Sequence, residues 1–304
     1  MALAGHDLPR LTENTFTPER TRLVLQAVCE RAGLDAAGAE LLRHQTNAVF
    51  RLVTAPVIVK VARPNIRHTA AVVALVEWVT EHGVPSVPLL AGTSQPLEAA
   101  GCGVTLWRYL PPTRQIAASD IAVPLRALHE VPLPSLPLPE LDALGAIHHS
   151  IQASRIISDH ERDVLLRRWS RLVDAVPGLR YDGPPRLIHG DPQHRNTLWD
   201  EGSDRPVLCD WDSAAVGPVE WDLVTVEVHC RRFGFPEQEY QEFCARYGRD
   251  IREWEGFATM RDLRELRMVT TNARKAVNGS PQADEVRRRI AALEAGDEIH
   301  WSIL

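Results

Sequence analysis

The sequence predicts an α+β chain: a small β-rich region with one long helix, then a larger region that is mostly helical. Three observations carry this prediction. Short runs rich in Val, Ile, Phe and Trp recur before residue 107. Tyr109-Leu-Pro-Pro112 then breaks regular structure, since proline has no N–H to donate. Beyond it, apolar residues recur at helical spacing almost to the end. The division is placed at residues 1–106, a connecting stretch 107–113, and 114–304.

Taken in order, Thr17-Pro18 is a helix start, with Thr as N-cap and Pro in the first turn. Leu23, Val24, Ala27, Val28 and Ala32 make its apolar stripe, and Gly33 ends it. Asp35 is expected to cap a second short helix running to Leu42. Ala48–Val53 and Val57–Val61 form a hairpin about Thr54-Ala-Pro56. Lys60 shares a face with Ile58, opposite Val57, Val59 and Val61. It is either an edge-strand surface lysine or a cation directed into a cleft. His68–His82 reads as a helix, and Val87–Leu90 and Gly103–Trp107 as strands. In the second region helices are expected at Ile116–His129, Leu141–Ser154, Asp159–Val176, Trp221–Phe233, Glu237–Tyr247, Trp254–Val277 and Pro281–Glu294. The proline-rich stretch 131–139 is neither helix nor central strand and is read as an extended connector.

Bulk properties exclude several classes. A net charge of -6 argues against nucleic acid as the main partner, which needs a basic face. No apolar run reaches the roughly 18 residues of a membrane span. Met1–Asp7 lacks the charged and apolar regions of a signal peptide. Five scattered cysteines without a Cys-x-x-Cys argue against a disulfide framework or zinc site and suit a reducing cytoplasm.

The chemistry concentrates in Leu187-Ile-His-Gly-Asp191-Pro-Gln-His-Arg-Asn196 and in Val207-Leu-Cys-Asp210-Trp-Asp212. Two apolar runs each deliver an acid at their C-terminal end, and Asn196 follows the first acid by five positions. One carboxylate can accept a hydroxyl proton, while an amide oxygen and a second carboxylate suit Mg²⁺, a cation that prefers oxygen ligands. Asp and Asn as ordinary turn formers between strands is the competing account.

With these pieces assembled, the chain resembles the aminoglycoside phosphotransferase/choline kinase family of small-molecule kinases. The resemblance covers roughly residues 40–230 in family order: Asn47-Ala-Val-Phe-Arg-Leu, Val57-Ile-Val-Lys60, Glu81-His-Gly-Val-Pro, Leu125-Arg-Ala-Leu-His129, His189-Gly-Asp-x4-Asn196, Asp210-Trp-Asp and Gly217-Pro-Val-Glu-Trp-Asp-Leu223. It implies a protein-kinase-like two-lobed fold that uses ATP or GTP with Mg²⁺ to phosphorylate a hydroxyl of a small molecule. Asp191 would be the catalytic base, Asn196 and Asp210 the metal ligands, and Lys60 the cation on the phosphates. Leu106–Tyr109, with Trp107 and Tyr109, would be the hinge whose backbone meets the adenine edge. Thr46 and Asn47 would lie in the phosphate loop. Gln193 would reach the γ-phosphate, Asp212 would be a second metal ligand or an acceptor neighbour, and Asp222 would brace the catalytic loop. Glu227 is a candidate for the acceptor pocket.

The chain departs from the family pattern in two places. The loop Arg43-His-Gln-Thr-Asn47 has no glycine, and the position of a Glu partner for Lys60 falls on Val72. Between Leu187 and Cys230 nine acids face two arginines, which favours a cationic acceptor such as an aminoglycoside or another antibiotic. A kinase of a small metabolite, or a nucleotide-binding pseudokinase, is the alternative. Monomer and dimer are both left open.

Overall fold

The computed structural model describes residues 8–304; Met1–Asp7, and the signal-peptide reading that rests on them, lie outside the described residues. In chain order the elements are α1 (Pro18–Arg31), β1 (Glu40–His44), β2 (Asn47–Arg51), β3 (Val57–Ala62), α2 (Ile66–Glu81), β4 (Leu97–Ala99), β5 (Cys102–Arg108), α3 (Ala118–Glu130), α4 (Ala143–Ala153) and α5 (Asp159–Ala175). They continue with β6 (Arg186–Ile188), β7 (Thr197–Asp200), β8 (Arg205–Leu208), β9 (Ala215–Gly217), α6 (Val219–Arg232), α7 (Glu237–Tyr247), α8 (Phe257–Lys275) and α9 (Pro281–Ala295).

Two compact units result. The first holds residues up to Gln115 together with Pro134–Leu138 and Leu198–Asp212; the second holds Ile116–Leu133, Pro139–Thr197 and Ser213–Leu304. The sequence reading assigns 134–138 and 198–212 to the second lobe, so these two insertions into the first unit are new.

The first unit is built on a five-stranded antiparallel sheet in the order β1-β2-β3-β5-β4. Alternation along β3 decides its faces: Val57, Val59 and Val61 are buried in the core with Phe50, Val104 and Leu106, while Ile58 and Lys60 take the other face half-buried. Thr17 caps α1 as expected, its side chain accepting from Arg20 N. The helix expected from Asp35 to Leu42 does not form. Asp35 caps only a turn, accepting from Ala37 N at 2.8 Å, and residues 40–44 become β1 instead. Pairing of Glu40 with Arg51 and of His44 with Ala48 satisfies that backbone, and Leu41 packs on the core, so tertiary contacts override a weak local helix preference. Val87–Leu90 is likewise no strand: Pro85 and Pro88 lack amides, and only isolated bridges at Ser86 and Leu89 remain. One of those bridges receives the 198–212 segment. Val87 N donates to Leu208 O and Leu208 N to Pro85 O, each at 2.9 Å.

The second unit is helical. α3 packs on α7, α4 and α6 pack on α8, and the short pair β6–β9 carries the loop at 189–191. α6 is buried almost throughout, polar residues included. The stretch 131–139 forms neither helix nor strand. No helix among the described residues is long and apolar enough to cross a membrane.

Candidate active site

In the first unit the chemistry gathers around Lys60. Its Nζ lies 2.8 Å from Asp210 Oδ1 and 2.8 Å from Asp212 Oδ2. Asn47 is buried and donates its side-chain amide to Asp212 Oδ2 at 2.6 Å, while Arg43 Nη2 reaches Asp210 Oδ2 at 3.2 Å. Lys60 is therefore no free surface lysine. It has no glutamate partner on α2 either, because Val72 is buried in the core and Glu77 is exposed. Burial disfavours the Lys60 charge, but the two carboxylates more than offset this and raise its pKa above the ordinary value. Burial pushes Asp210 up, yet Lys60 and Arg43 hold it far below the usual carboxylate range. Asp210 also has φ +65, a left-handed conformation that Asp tolerates better than most residues at a cost of order 1 kcal/mol.

Thr46 sits exposed in the turn between β1 and β2. Trp107 is buried, its indole N–H donating to Thr105 Oγ1 at 2.7 Å, and the Tyr109 ring lies 4.8 Å from the Arg51 guanidinium. In the segment expected to be the hinge, three backbone amides have partners within the protein. Leu106 N donates to Gln95 Oε1, Arg108 N to Pro88 O and Tyr109 N to Pro56 O, so these three are already committed within the protein. Prolines at 56 and 88 offer only carbonyls there, and the segment answers them.

In the second unit β6 ends at Ile188 and the chain turns through His189-Gly190-Asp191. Gly190 has φ +81, and a Cβ there would stand 2.1 Å from Ser213 O, so only glycine fits this turn. Asp222 on α6 accepts from His189 N at 2.7 Å and Gly190 N at 2.8 Å, which is the brace expected of it. Behind it, His129 Nε2 donates to Asp222 Oδ2 at 3.1 Å, leaving Nδ1 to accept from Tyr247 OH at 2.8 Å.

This brace presents Asp191 with both oxygens occupied. Oδ1 accepts from Arg264 Nη2 at 2.5 Å; Oδ2 accepts from Gln193 Nε2 at 2.8 Å and Asn196 Nδ2 at 3.1 Å. Burial pushes the Asp191 carboxyl up, but Arg264 first, then His229 and Gln193, bring it below its ordinary value. It is a carboxylate at neutral pH, suited to aligning a hydroxyl and receiving its proton late. Asn196 donates its amide nitrogen to Asp191 O and Oδ2, which leaves its amide oxygen for another partner. Gln193 thus serves Asp191 here. Glu227 is 1% exposed; its Oε1 faces Arg231 and Arg252 at 3.2 and 3.3 Å, while its Oε2 has no hydrogen-bond partner and burial raises its pKa.

The donor chemistry fits Mg²⁺. In the first unit Asp210 and Asp212 offer hard carboxylate oxygens, and in the second the Asn196 amide oxygen is of the same hard kind; Mg²⁺ takes one or two carboxylates, with phosphate oxygens and water completing its octahedron.

The profile described as APH, phosphotransferase enzyme family, matches residues 38–263, well over half of the chain. The chain belongs to this family. It is a phosphotransferase that acts on hydroxyl groups of small molecules. Solved structures share its fold. An amicoumacin kinase in complex with AMP-PNP, Ca²⁺ and Ami superposes with a TM-score of 0.70 at 15% identity, over 93% of this chain and 96% of that one. A choline/ethanolamine kinase family protein from Mesorhizobium loti gives 0.64 at 20% identity, over 90% and 94%. The aminoglycoside phosphotransferase APH(3'')-Id from Streptomyces rimosus gives 0.58 at 20%, over 79% and 97%. No curated protein sequence matches.

Sequence reasoning did not place Arg43, Arg264 or His229 of this phosphotransferase beside these carboxylates. Arg43 opens the glycine-free loop, which was a usable signal. Arg264 and His229 are remote in sequence from the loop they serve, and only packing of α6 and α8 brings them to it.

Proposed function

We propose that the phosphotransferase moves the γ-phosphoryl group of ATP or GTP onto a small-molecule hydroxyl with these residues in the following roles. Asp191 aligns the acceptor hydroxyl and takes its proton. Lys60, with Arg43 beside it, meets the nucleotide phosphates, and Asn47 holds Asp212. Asn196 and Asp210 are the proposed Mg²⁺ ligands; the metal supplies charge neutralisation at the phosphate oxygens. Thr46 and the Trp107–Tyr109 segment are proposed on the nucleotide side, the latter through its carbonyls. The proposed setting is a reducing cytoplasm, in keeping with five free thiols.

The observation that carries this reading is Asp191. An ionised, half-buried carboxylate is fixed by three side-chain donors on a loop that Asp222 braces. Phosphoryl transfer needs little else from a base than position and charge. The neighbouring structures carry names of antibiotic and of amino-alcohol kinases, and both acceptor types fall within the proposal. The test is a coupled ADP-release assay with Mg²⁺-ATP over a panel of hydroxyl acceptors. Asp191→Asn should lower kcat by roughly 10²- to 10⁴-fold. A variant as active as the parent protein would end this assignment.

A further inference from the structure

The acidic excess between Leu187 and Cys230 favours a cationic acceptor only while those charges are unmatched. In the second unit they are engaged. Glu220 meets Arg249 at 2.9 Å, Asp222 accepts from His129 at 3.1 Å and from its loop amides, Glu227 meets Arg231 and Arg252 through Oε1 while its buried Oε2 has no hydrogen-bond partner, and Asp191 meets Arg264 at 2.5 Å. Three acids elsewhere in this unit are taken as well. Glu265 holds Arg232 at 2.7 Å, Asp262 pairs with Arg168, and Glu239 lies 2.8 Å from His194.

Along α8 the charge left over is positive. Arg264, Arg267, Thr271 and Arg274 follow one another on α8 at intervals of three or four residues, which places them along one helix face. Arg264 is spent on Asp191. Arg267, one turn further, makes no ion pair among the described residues; its guanidinium bonds only the Thr271 hydroxyl. Burial first, then the like charges of Arg264 and Arg274, pull its pKa down to about 10, while Asp191 and Asp142 offset this only in part. Asp142 is itself engaged, capping α4 through Gly145 N at 2.7 Å. Two buried nitrogens in this neighbourhood also lack hydrogen-bond partners: Nε of Arg264 and Nε2 of His229. Buried polar atoms without partners are uncommon and call for an explanation, a ligand among them.

The geometry points to an acceptor that carries an anionic group, a carboxylate or phosphate, close to the hydroxyl that Asp191 aligns, with Arg267 as its counter-charge. This rests on the proposed role of Asp191. A polycationic aminoglycoside would bring its ammonium groups against Arg264, Arg267 and Arg274, where like charges disfavour it. A hydroxy acid, a sugar acid or a sugar phosphate would instead complete the unpaired guanidinium, and charge-assisted bonds of that kind are the strong ones.

The experiment has two arms, both on the full chain with Mg²⁺. In the first, calorimetry with AMP-PNP present compares glucuronate with glucosamine and glycerate with ethanolamine; inorganic sulfate serves as a simple anion. The acids should bind at least about tenfold more tightly than the amines. Arg267→Ala should erase that preference, and Arg267→Lys, which keeps the charge and guards against loss of fold, should restore most of it. Amines that bind as well as acids, a preference unchanged in Arg267→Ala, or no Arg267-dependent binding of any anion at millimolar concentration would overturn the inference.

The second arm follows ADP release with the same compounds. Turnover of cationic acceptors alone sinks the anionic reading and leaves the kinase roles standing. Arg267-dependent anion binding with no ADP release above the Asp191→Asn background sinks the kinase roles and leaves the anion site standing. An Arg267→Ala variant whose only change is a higher KM for ATP places Arg267 on the transferring phosphoryl group, which also overturns the inference.

Discussion

Mild acid should weaken the protein through a buried histidine beside the Asp191 loop. His229 on α6 is 6% exposed and its Nε2 has no hydrogen-bond partner. Burial is the main reason its pKa falls to about 3; Asp191 opposes the fall, while Arg264, His194 and Arg289 add to it. In the unfolded chain the same imidazole titrates near about 6.5. Between those two values the unfolded state binds a proton that the folded state refuses, so stability rises with pH across the window and is lost as pH drops below about 6.5. Each unit of separation is worth about 1.4 kcal/mol. Going from pH 7 to pH 5 should therefore remove about 2 kcal/mol, and the full loss, near pH 3, is of order 4 kcal/mol. For a chain of 304 residues, 2 kcal/mol corresponds to roughly 3 °C in Tm. The assay is thermal unfolding by circular dichroism from pH 5 to 7, run in parallel on His229→Gln. That variant cannot take up the proton and should show a flatter pH dependence. His194, which burial also holds below its ordinary value, contributes the same sign in both proteins and cancels in the comparison. Equal slopes for the two proteins would refute the claim that His229 is held neutral.

Three other outcomes follow from the site. Lys60→Ala leaves Asp210 and Asp212 without their shared cation, so the KM for ATP should rise roughly tenfold or more, read in the ADP-release assay; a change confined to acceptor KM would take Lys60 off the phosphates. Gly190→Ala drives a Cβ to 2.1 Å from Ser213 O at φ +81 and should cost at least about 2 kcal/mol, visible as a lower melting temperature and a matching loss of turnover; a Tm within one degree of the parent would show that the loop yields. Asp222→Asn weakens the acceptor of two loop amides and of His129, so stability should fall by about 2 kcal/mol and kcat should fall while both KM values stay within about twofold; a KM-only effect would remove its bracing role.

Most of the fold was legible because most of its signals are local. A Thr-Pro cap, glycine stops and apolar residues at helical spacing identify α1, α2 and the helices of the second unit within a few residues. Alternation in Val57–Val61 located β3 and correctly put Lys60 opposite the core face. Failures came where distant pairing decides. β1 exists because β2 lies beside it, and β4, β7 and β9 are only three or four residues long, too short for a period to declare itself. The acids of the candidate site could be found from sequence because each ends an apolar run. Their cations could not, since Arg43 and Arg264 sit 167 and 73 positions from the carboxylates they hold. The reading of a cationic acceptor rests on an acid count along one segment, and a count does not tell which of those acids are already engaged.

Those pairings also bear on how the site would receive its ligands. A buried carboxylate or ammonium left alone costs several kcal/mol, and removing one partner of a buried pair is strongly destabilising. In the first unit Lys60 and Arg43 together balance Asp210 and Asp212; in the second, Arg264 balances Asp191. On the proposed roles, nucleotide phosphates would exchange for carboxylates at Lys60, and a divalent cation would exchange for Lys60 at Asp210. Each exchange alone leaves one partner stranded: phosphate without metal strands two carboxylates, and metal without phosphate strands a lysine. Taken together they restore the balance. The same logic applies at α8, where Arg267 lies close to like-charged neighbours and has no carboxylate partner among the described residues. A neutral acceptor would leave it so, a cation would aggravate it, and an anion completes it. Charge matching, more than shape, is therefore the property that separates the acceptors this phosphotransferase should accept from those it should refuse.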